Sequence, residues 1–338
     1  MDTTLTLQIP SHLREYTFRP AELEDAPGLH ALYVAIDRQE GTTLAGSLEE
    51  VQRDFEDPNS APTTENSLVA VSANGEIAAV GWIFMPGRAE QQHCALLWGG
   101  VQPKYRRQGL GKLVMGWSMQ RASQRLAEFH DDLPRVLRVN CIDTAADRIA
   151  MLQENGFTPV RYYLKMHRDL SEPLPEVELP QGFHLVEWAP ELDRQAYEAI
   201  NSAFRDHWGW EPTSPESWQQ YVTKSEGFRA ARSFLAFAGE QIAGACINAV
   251  HEDDNRRLGV REGWIHNLGV LREQRGRGLG KALLLHSMRA FKAQDLQVAC
   301  LMVDSENLTG ALGIYERIGF QTITRNVAWE RRPVIEGW

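Results

Sequence analysis

The sequence predicts an α/β (α+β) chain of two tandem domains, each a mixed, mostly antiparallel twisted sheet with a central parallel β-α-β unit. Three observations carry this expectation. The pattern Arg-x-x-Gly-x-Gly-Lys occurs twice, as Arg106-Arg107-Gln108-Gly109-Leu110-Gly111-Lys112 and as Arg275-Gly276-Arg277-Gly278-Leu279-Gly280-Lys281. The two halves repeat one order of strands and helices around it. Between them, the segment from Glu172 to Gly182 carries three prolines and three acids, breaks every periodicity, and reads as an extended linker. The expected division is a first domain over 1–171, a linker over 172–182 and a second domain over 183–338.

Each half opens with a short strand and an amphipathic helix: Tyr16 to Arg19 then Glu22 to Ala35, and Phe183 to Trp188 then Glu191 to Phe204. A hairpin follows. The first runs from Leu68-Val69-Ala70-Val71 through Asn74-Gly75, which suits a type I′ turn, to Ile77–Phe84. The second turns near Gly239-Glu240 between Phe234–Phe237 and Ile242–Val250. Next comes a strand ending in Gly-Val (Gly100-Val101, Gly269-Val270), the glycine-rich turn, and a helix, Leu113–Phe129 or Ala282–Ala293. A buried strand (Val136–Cys141, Val298–Val303) leads to a short helix ending in Gly-Phe, at Gly156-Phe157 and Gly319-Phe320. Closing strands are expected near Val160–Met166 and Thr322–Trp329.

At 338 residues each half can bury its own core, and 43% hydrophobic with 24% charged residues is the balance of a soluble globular protein. A net charge of −10 argues against a nucleic-acid binder, which would need a basic face. Met1-Asp2-Thr3-Thr4-Leu5 has no basic segment followed by an apolar core, and no apolar run spans a bilayer, so a cytoplasmic protein without membrane partner is expected. Cys94, Cys141, Cys246 and Cys300 sit singly in apolar runs without metal-ligand spacing; free buried thiols and no metal are expected.

A strand, a glycine-rich turn and a helix start make a site for a diphosphate. Glycines let backbone N–H groups approach the oxygens, and the helix dipole favours negative charge there. Arg275, Arg277 and Lys281 are placed to add positive charge. Neither loop is a Walker loop, because Ala282 and Leu113 follow the lysines, and no G-x-G-x-x-G occurs with a downstream acid.

Both loops match the acyl-CoA loop, [Arg/Gln]-x-x-Gly-x-[Gly/Ala], of the GCN5-related N-acetyltransferase superfamily. In the second half, Val303-Asp304-Ser305-Glu306-Asn307 and Tyr315-Glu316-Arg317-Ile318-Gly319-Phe320 also resemble that family's later motif. The resemblance implies acetyl-CoA as cosubstrate. Its diphosphate would lie on Arg275, Gly276, Arg277, Gly278, Leu279, Gly280 and Lys281. Its pantetheine arm would run along Leu268, Gly269 and Val270, between strands that splay apart. Asn307 would contact CoA or cap the next helix, and Tyr315 would protonate the leaving thiolate unless it is only a core aromatic. Many members carry a glutamate base on the strand before the loop, where this chain has Trp264. Alternation puts Glu262, Trp264, His266 and Leu268 on one face, making Glu262 and His266 the base candidates; the imidazole has the better intrinsic pKa.

The first half keeps the loop, with Val101, Arg106, Arg107, Gln108, Gly109, Leu110, Gly111 and Lys112 as its cofactor-binding candidates. It has Leu152 where Tyr315 stands, counting from Gly-Phe. Leucine cannot give a proton, so the first domain is expected to be catalytically degenerate and the chemistry to lie in the second, a plan seen in tandem members of the superfamily. Asp206, His207 and Trp208, in an aromatic stretch after the first helix of the second half, are the candidates for acceptor binding, against a lid packed on the core. Glu252-Asp253-Asp254 reads as a solvated hairpin tip. The expected activity is acetyl transfer to a primary amine of a small molecule or peptide by direct attack. The alternatives are a longer acyl-CoA donor, or a non-catalytic acyl-CoA sensor or scaffold. A monomer, with its two domains forming a pseudo-dimer within the chain, is expected.

Overall fold

The computed structural model describes residues 8–42, 45–57, 59–85, 89–176, 178–307 and 310–334. Met1 to Leu5 and Val177 of the expected linker lie outside the described residues. The elements in chain order are β1 (Thr17–Arg19), α1 (Ala26–Glu40), α2 (Leu48–Asp54), α3 (Thr63–Asn66), β2 (Ser67–Val71), β3 (Ile77–Phe84), β4 (His93–Val101), α4 (Leu110–Ala127), β5 (Arg135–Ile142) and α5 (Ala146–Glu154). They continue with β6 (Thr158–Asp169), β7 (Phe183–Glu187), α6 (Asp193–Phe204), α7 (Pro215–Trp218), β8 (Phe234–Ala238), β9 (Gln241–Ala249), α8 (Glu252–Leu258), β10 (Glu262–Val270), α9 (Leu279–Lys292), β11 (Val298–Asp304), α10 (Ala311–Ile318) and β12 (Gln321–Arg331).

Two compact units form, and neither is a contiguous half. Unit 1 is Met1–Val160 with Val327–Trp338, and unit 2 is Arg161–Asn326. The strand order is β1-β2-β3-β4-β5-β12 in the first and β6-β11-β10-β9-β8-β7 in the second. In each, an antiparallel meander meets one parallel pair, β4 with β5 and β10 with β11, whose crossover helix is α4 or α9.

The expected boundaries at 171 and 183 are corrected by the closing strands. The stretch of β6 from Tyr163 to Asp169 pairs antiparallel with the whole of β11, Asp169 opposite Val298 and Tyr163 opposite Asp304. The expected linker also belongs to unit 2: Leu174 and Leu179 pack on its core, and Arg289 donates to the Pro175 carbonyl at 3.0 Å. Proline breaks periodicity there without freeing the segment from packing. Leu164, Met166 and Leu170 join Leu283, Met288 and Phe291 of α9 in one buried cluster. Truncating a fully buried leucine such as Leu283 costs roughly 2–5 kcal/mol. In unit 1, Leu29, Leu32 and Ile36 of α1 pack on Val80 and Trp82 of β3.

Two local expectations also change. The Asn74-Gly75 turn is not type I′. Gly75 has φ +82 while Asn74 is not left-handed, and the Ser72 N–H bonds the Glu76 carbonyl across a longer loop, with a register shift next to it. Glu252-Asp253-Asp254 opens α8 rather than a bare hairpin tip. Acids in a helix's first turn complement its dipole, and Asp254 pairs with Arg257 at 2.7 Å. No described helix is long and apolar enough to cross a membrane.

Candidate functional site

In unit 2, β10 and β11 pair only from Glu262 to Trp264 and from Val298 to Cys300, and then diverge toward the glycine loop. The β10 edge beyond Trp264 therefore keeps backbone groups without a parallel partner, as the splayed-strand expectation requires. A cavity of about 1040 Å³ opens there. Leu268, Gly269, Val270, Arg275, Gly276, Gly278, Leu279, Gly280 and Lys281 line one end, and Asp206, His207, Trp208, His266, Asn307 and Tyr315 line the rest.

The loop's shape follows from two left-handed residues, Gly276 at φ +75 and Gly278 at φ +84. The first intrahelical bond of α9 runs from the Ala282 N–H to the Gly278 carbonyl, and no side chain caps the helix. The N–H groups of Leu279, Gly280 and Lys281 precede that bond and are the donors a diphosphate would take. The Leu279 side chain is buried in the core, so it serves through its backbone.

Two of the three expected cations are otherwise engaged. Arg275 donates to the Val270 carbonyl at 3.1 Å and the Ala203 carbonyl at 2.8 Å, and pairs with Asp206 at 3.0 Å. It ties the loop to β10 and α6, and it occupies Asp206, which was expected to meet the acceptor. Arg277 lies 4.2 Å over the Phe183 ring and bonds Gln274 at 2.7 Å. Lys281 remains on the cavity wall, joined by Arg272, which the sequence reading did not single out.

Tyr315 lies on α10 against the cavity, and burial raises its pKa, keeping the phenol protonated at neutral pH. Asn307 lines the cavity three residues before Gly310, the N-cap residue of α10, which brings no capping side chain. His207 is held below the usual imidazole range, chiefly by burial. Trp208 receives the Arg161 guanidinium at 5.7 Å from its ring centre.

The expected common face of β10 is broken at His266. Ile265 pairs with Asn248 and Asn267 with Ile247, so His266 sits on an extra residue that shifts the phase of the strand. His266 is exposed and lines the cavity; Glu262 is buried and does not. Glu262 faces β6 instead, 3.9 Å from Lys165 Nζ and 3.4 Å from His167 Nε2. Cys300 completes a group whose nitrogen, oxygen and sulfur lie within 4.8 Å of one another, beside the Lys165 ammonium. Burial pushes the Cys300 thiol well up and His167 down.

Sequence reasoning missed Tyr163, Met302 and Asp304 in this wall. The available signal was the alternation Arg161, Tyr163, Lys165, His167 along β6, a polar face that requires partners across the sheet.

Unit 1 repeats the loop around a cavity of about 320 Å³, lined by Val101, Arg106, Arg107, Gly109, Gly111 and Lys112. Arg106 bonds the Val101 carbonyl at 3.2 Å and Glu40 at 2.7 Å, the counterpart of Arg275. Gln108 accepts from the Tyr16 hydroxyl at 2.7 Å and the Leu110 side chain is buried in the core, so these two do not face that cavity. Leu152 is fully buried. The Phe157 N–H bonds the Leu152 carbonyl as the Phe320 N–H bonds the Tyr315 carbonyl, each at 3.0 Å, which makes the two positions equivalent.

The chain matches the Acetyltransferase (GNAT) family over residues 29–157 and 194–320. The mycothiol acetyltransferase of Thermobispora bispora is 32% identical over 239 residues, 68% of this chain and 74% of that protein. That of Frankia alni is 28% identical over 335 residues, 94% of this chain and 93% of the relative. Among solved structures, a GCN5-related N-acetyltransferase from Sphaerobacter thermophilus matches with TM-score 0.72 at 27% identity, covering 97% of this chain and 98% of that one. A tandem GNAT protein from the clavulanic acid biosynthesis pathway shares the fold, with TM-score 0.71 at 16% identity over 95% of this chain and 100% of its own.

Proposed function

The chain belongs to the acetyltransferase (GNAT) family and is an acetyl-CoA-dependent N-acetyltransferase; from that premise we propose that the reaction runs in unit 2, by direct attack of a small molecule's primary amine on the thioester. The observation that carries this reading is the phenol of Tyr315 on the wall of the larger cavity, at the position where unit 1 buries Leu152. The mycothiol acetyltransferase names of the relatives support a small-molecule acceptor.

In this reading the diphosphate of acetyl-CoA takes the N–H groups at the start of α9, with Lys281 beside them. The pantetheine arm lies along the free edge of β10, whose backbone N–H groups stabilise charge developing on the carbonyl oxygen. The amine nitrogen bonds to the carbonyl carbon as the carbon–sulfur bond breaks. The thiolate takes the Tyr315 proton, and the amine's proton goes to a cavity histidine. His207 is the proposed acceptor, because burial keeps it neutral. His266 is the second reading, favoured by its place on the β10 bulge beside Leu268. Glu262 takes no direct part, because it is paired away from the cavity.

The test is thiol release from acetyl-CoA over a panel of small and peptide amines. Tyr315→Phe is expected to lower turnover about a hundredfold while acetyl-CoA affinity, measured by calorimetry, stays unchanged. Unchanged turnover would remove Tyr315 as the acid. No release with any amine would favour an acyl-CoA sensor.

A further inference from the structure

We infer that β6 is a positioning device for the acid helix: Arg161 fixes the entry of α10 and Arg168 its exit, with Tyr315 held between them. The inference rests on Tyr315 being the acid of unit 2.

The helix needs such a device. α10 has eight residues, too short to hold its own geometry in water. Its orientation must come from what grips its ends and its packed face. At the entry, Arg161 Nε donates to both Asp304 carboxylate oxygens at 2.9 Å, Nη1 to the Glu306 carboxylate at 2.7 Å, and Nη2 to the Glu306 carbonyl at 3.1 Å. Asp304 Oδ1 also accepts the Glu306 N–H at 3.0 Å, so one carboxylate shapes the turn from inside while the guanidinium grips it from outside. The Arg161 and Asp304 side chains are only 13% and 8% exposed, so this pair is shielded from the screening that weakens surface ion pairs. The same guanidinium lies under Trp208, joining the aromatic stretch of the cavity to the turn.

At the exit, buried Arg168 donates from Nε to the Ile318 carbonyl at 2.9 Å, one of the carbonyls a helix end leaves without a partner. Its Nη2 reaches the Pro173 carbonyl at 3.1 Å, which ties the exit to the segment following β6.

Unit 1 supplies a control. There Arg331 of β12 donates to the Asn155 carbonyl at the end of α5 at 2.6 Å, reproducing the exit grip. Arg168 and Arg331 stand equally far past Phe157 and Phe320. At the place matching Arg161, β12 carries Thr324, on a stretch of that strand that belongs to unit 2, so unit 1 receives no arginine there, and a threonine cannot fork across a carboxylate and a carbonyl. The exit grip is thus common to both short helices and reads as fold. The entry grip accompanies the helix that carries the tyrosine, and it reads as function.

The test compares the full chain with Arg161→Ala, Arg161→Lys, Tyr315→Phe and the Arg161→Ala/Tyr315→Phe double variant, reading kcat, both KM values and acetyl-CoA affinity by calorimetry. Arg161→Ala is expected to lower kcat about 10- to 100-fold, because a displacement near 1 Å disturbs proton transfer, with acetyl-CoA affinity held within about twofold. Once Tyr315 is Phe, removing Arg161 is expected to cost no more than about threefold further, since both act through one proton. Arg161→Lys keeps the charge but loses the fork, so an intermediate kcat is expected; it also carries the test if the alanine variant does not fold. Full multiplicative losses in the double variant, or an intact kcat in both Arg161 variants while Tyr315→Phe is slow, would overturn the inference and leave the acid reading standing. A Tyr315→Phe variant at full turnover would overturn both.

Discussion

The two acyl-CoA-type loops of this chain have the same backbone and different surroundings. Each takes a left-handed residue at its second and fourth positions, each ties its first arginine to the carbonyl of the preceding valine, and each starts a helix without a side-chain cap. Around one loop the cavity is about 1040 Å³ with a tyrosine on its wall; around the other it is about 320 Å³, and a buried leucine takes the tyrosine's place. With the reaction in unit 2, as proposed, the cradle and the chemistry are separable parts of the fold. A glycine motif identifies the first. The second depends on residues beyond it, including a strand from outside the contiguous half.

The strand exchange gives the largest expected effect. A chain cut to residues 183–338 loses β6, and with it Leu164, Met166 and Leu170 from the unit 2 core, together with both arginines that grip α10. It is expected to lack a cooperative unfolding transition by circular dichroism and to release no thiol from acetyl-CoA. A folded, active fragment would return the comparison to two independent halves.

Within the full chain, the loops can be set against each other. Gly278→Leu forces a side chain into φ +84 at a residue that lines the cradle, and thiol release is expected to fall below detection. Gly109→Leu, at φ +96, is expected to change stability or a second calorimetric acetyl-CoA site rather than rate. Equal loss of rate from both substitutions would show that unit 1 also does chemistry.

A smaller effect concerns pH. Burial lowers the His207 pKa below the usual value of about 6.5. A base must be neutral to accept a proton, so kcat/KM is expected to hold down to that region and fall as pH drops through the lowered value. His207→Ala should remove this limb. If the limb survives there and disappears in His266→Ala, the base is the histidine at the β10 bulge.

Much of this arrangement was legible in the sequence. The repeat, the loop and the Tyr315–Leu152 asymmetry follow from local patterns, because glycine placement and helix-stop signals are local physics; the splayed strands were expected only from the family resemblance. The exchange of β6 and β12 was not legible, because a strand's own alternation records only that one face is polar, not which sheet receives it. Pro173 and Pro175 then suggested a boundary where the chain is in fact packed. The base face failed for a similar reason: a one-residue bulge at His266 reverses the phase of every later residue, and nothing in Ile265-His266-Asn267 announces it. Two of the three cations have a second use that the sequence does not announce: Arg275 anchors the loop to the Val270 and Ala203 carbonyls, and Arg277 lies over Phe183.

The smallest effect isolates the cradle from all of these surroundings. At the second loop position unit 2 has Gly276 at φ +75, and unit 1 has Arg107 at φ +63. A side chain in that region costs about 1–2 kcal/mol relative to the ordinary helical basin, while glycine adopts it freely. Arg107→Gly relieves that strain, partly offset by the greater freedom of glycine in the unfolded chain, and a net gain of about 0.5 kcal/mol is expected. Arg107 is exposed and its contact with Asp147 is long, at 3.4 Å, so little else is lost. Gly276→Arg should destabilise unit 2 by about 1 kcal/mol in chemical denaturation. Its acetyl-CoA affinity should fall only if the tolerance for a side chain seen in unit 1 depends on that loop having no diphosphate to hold. Equal affinity before and after Gly276→Arg would mean that the two cradles are interchangeable, and that everything separating the units lies in the walls around them.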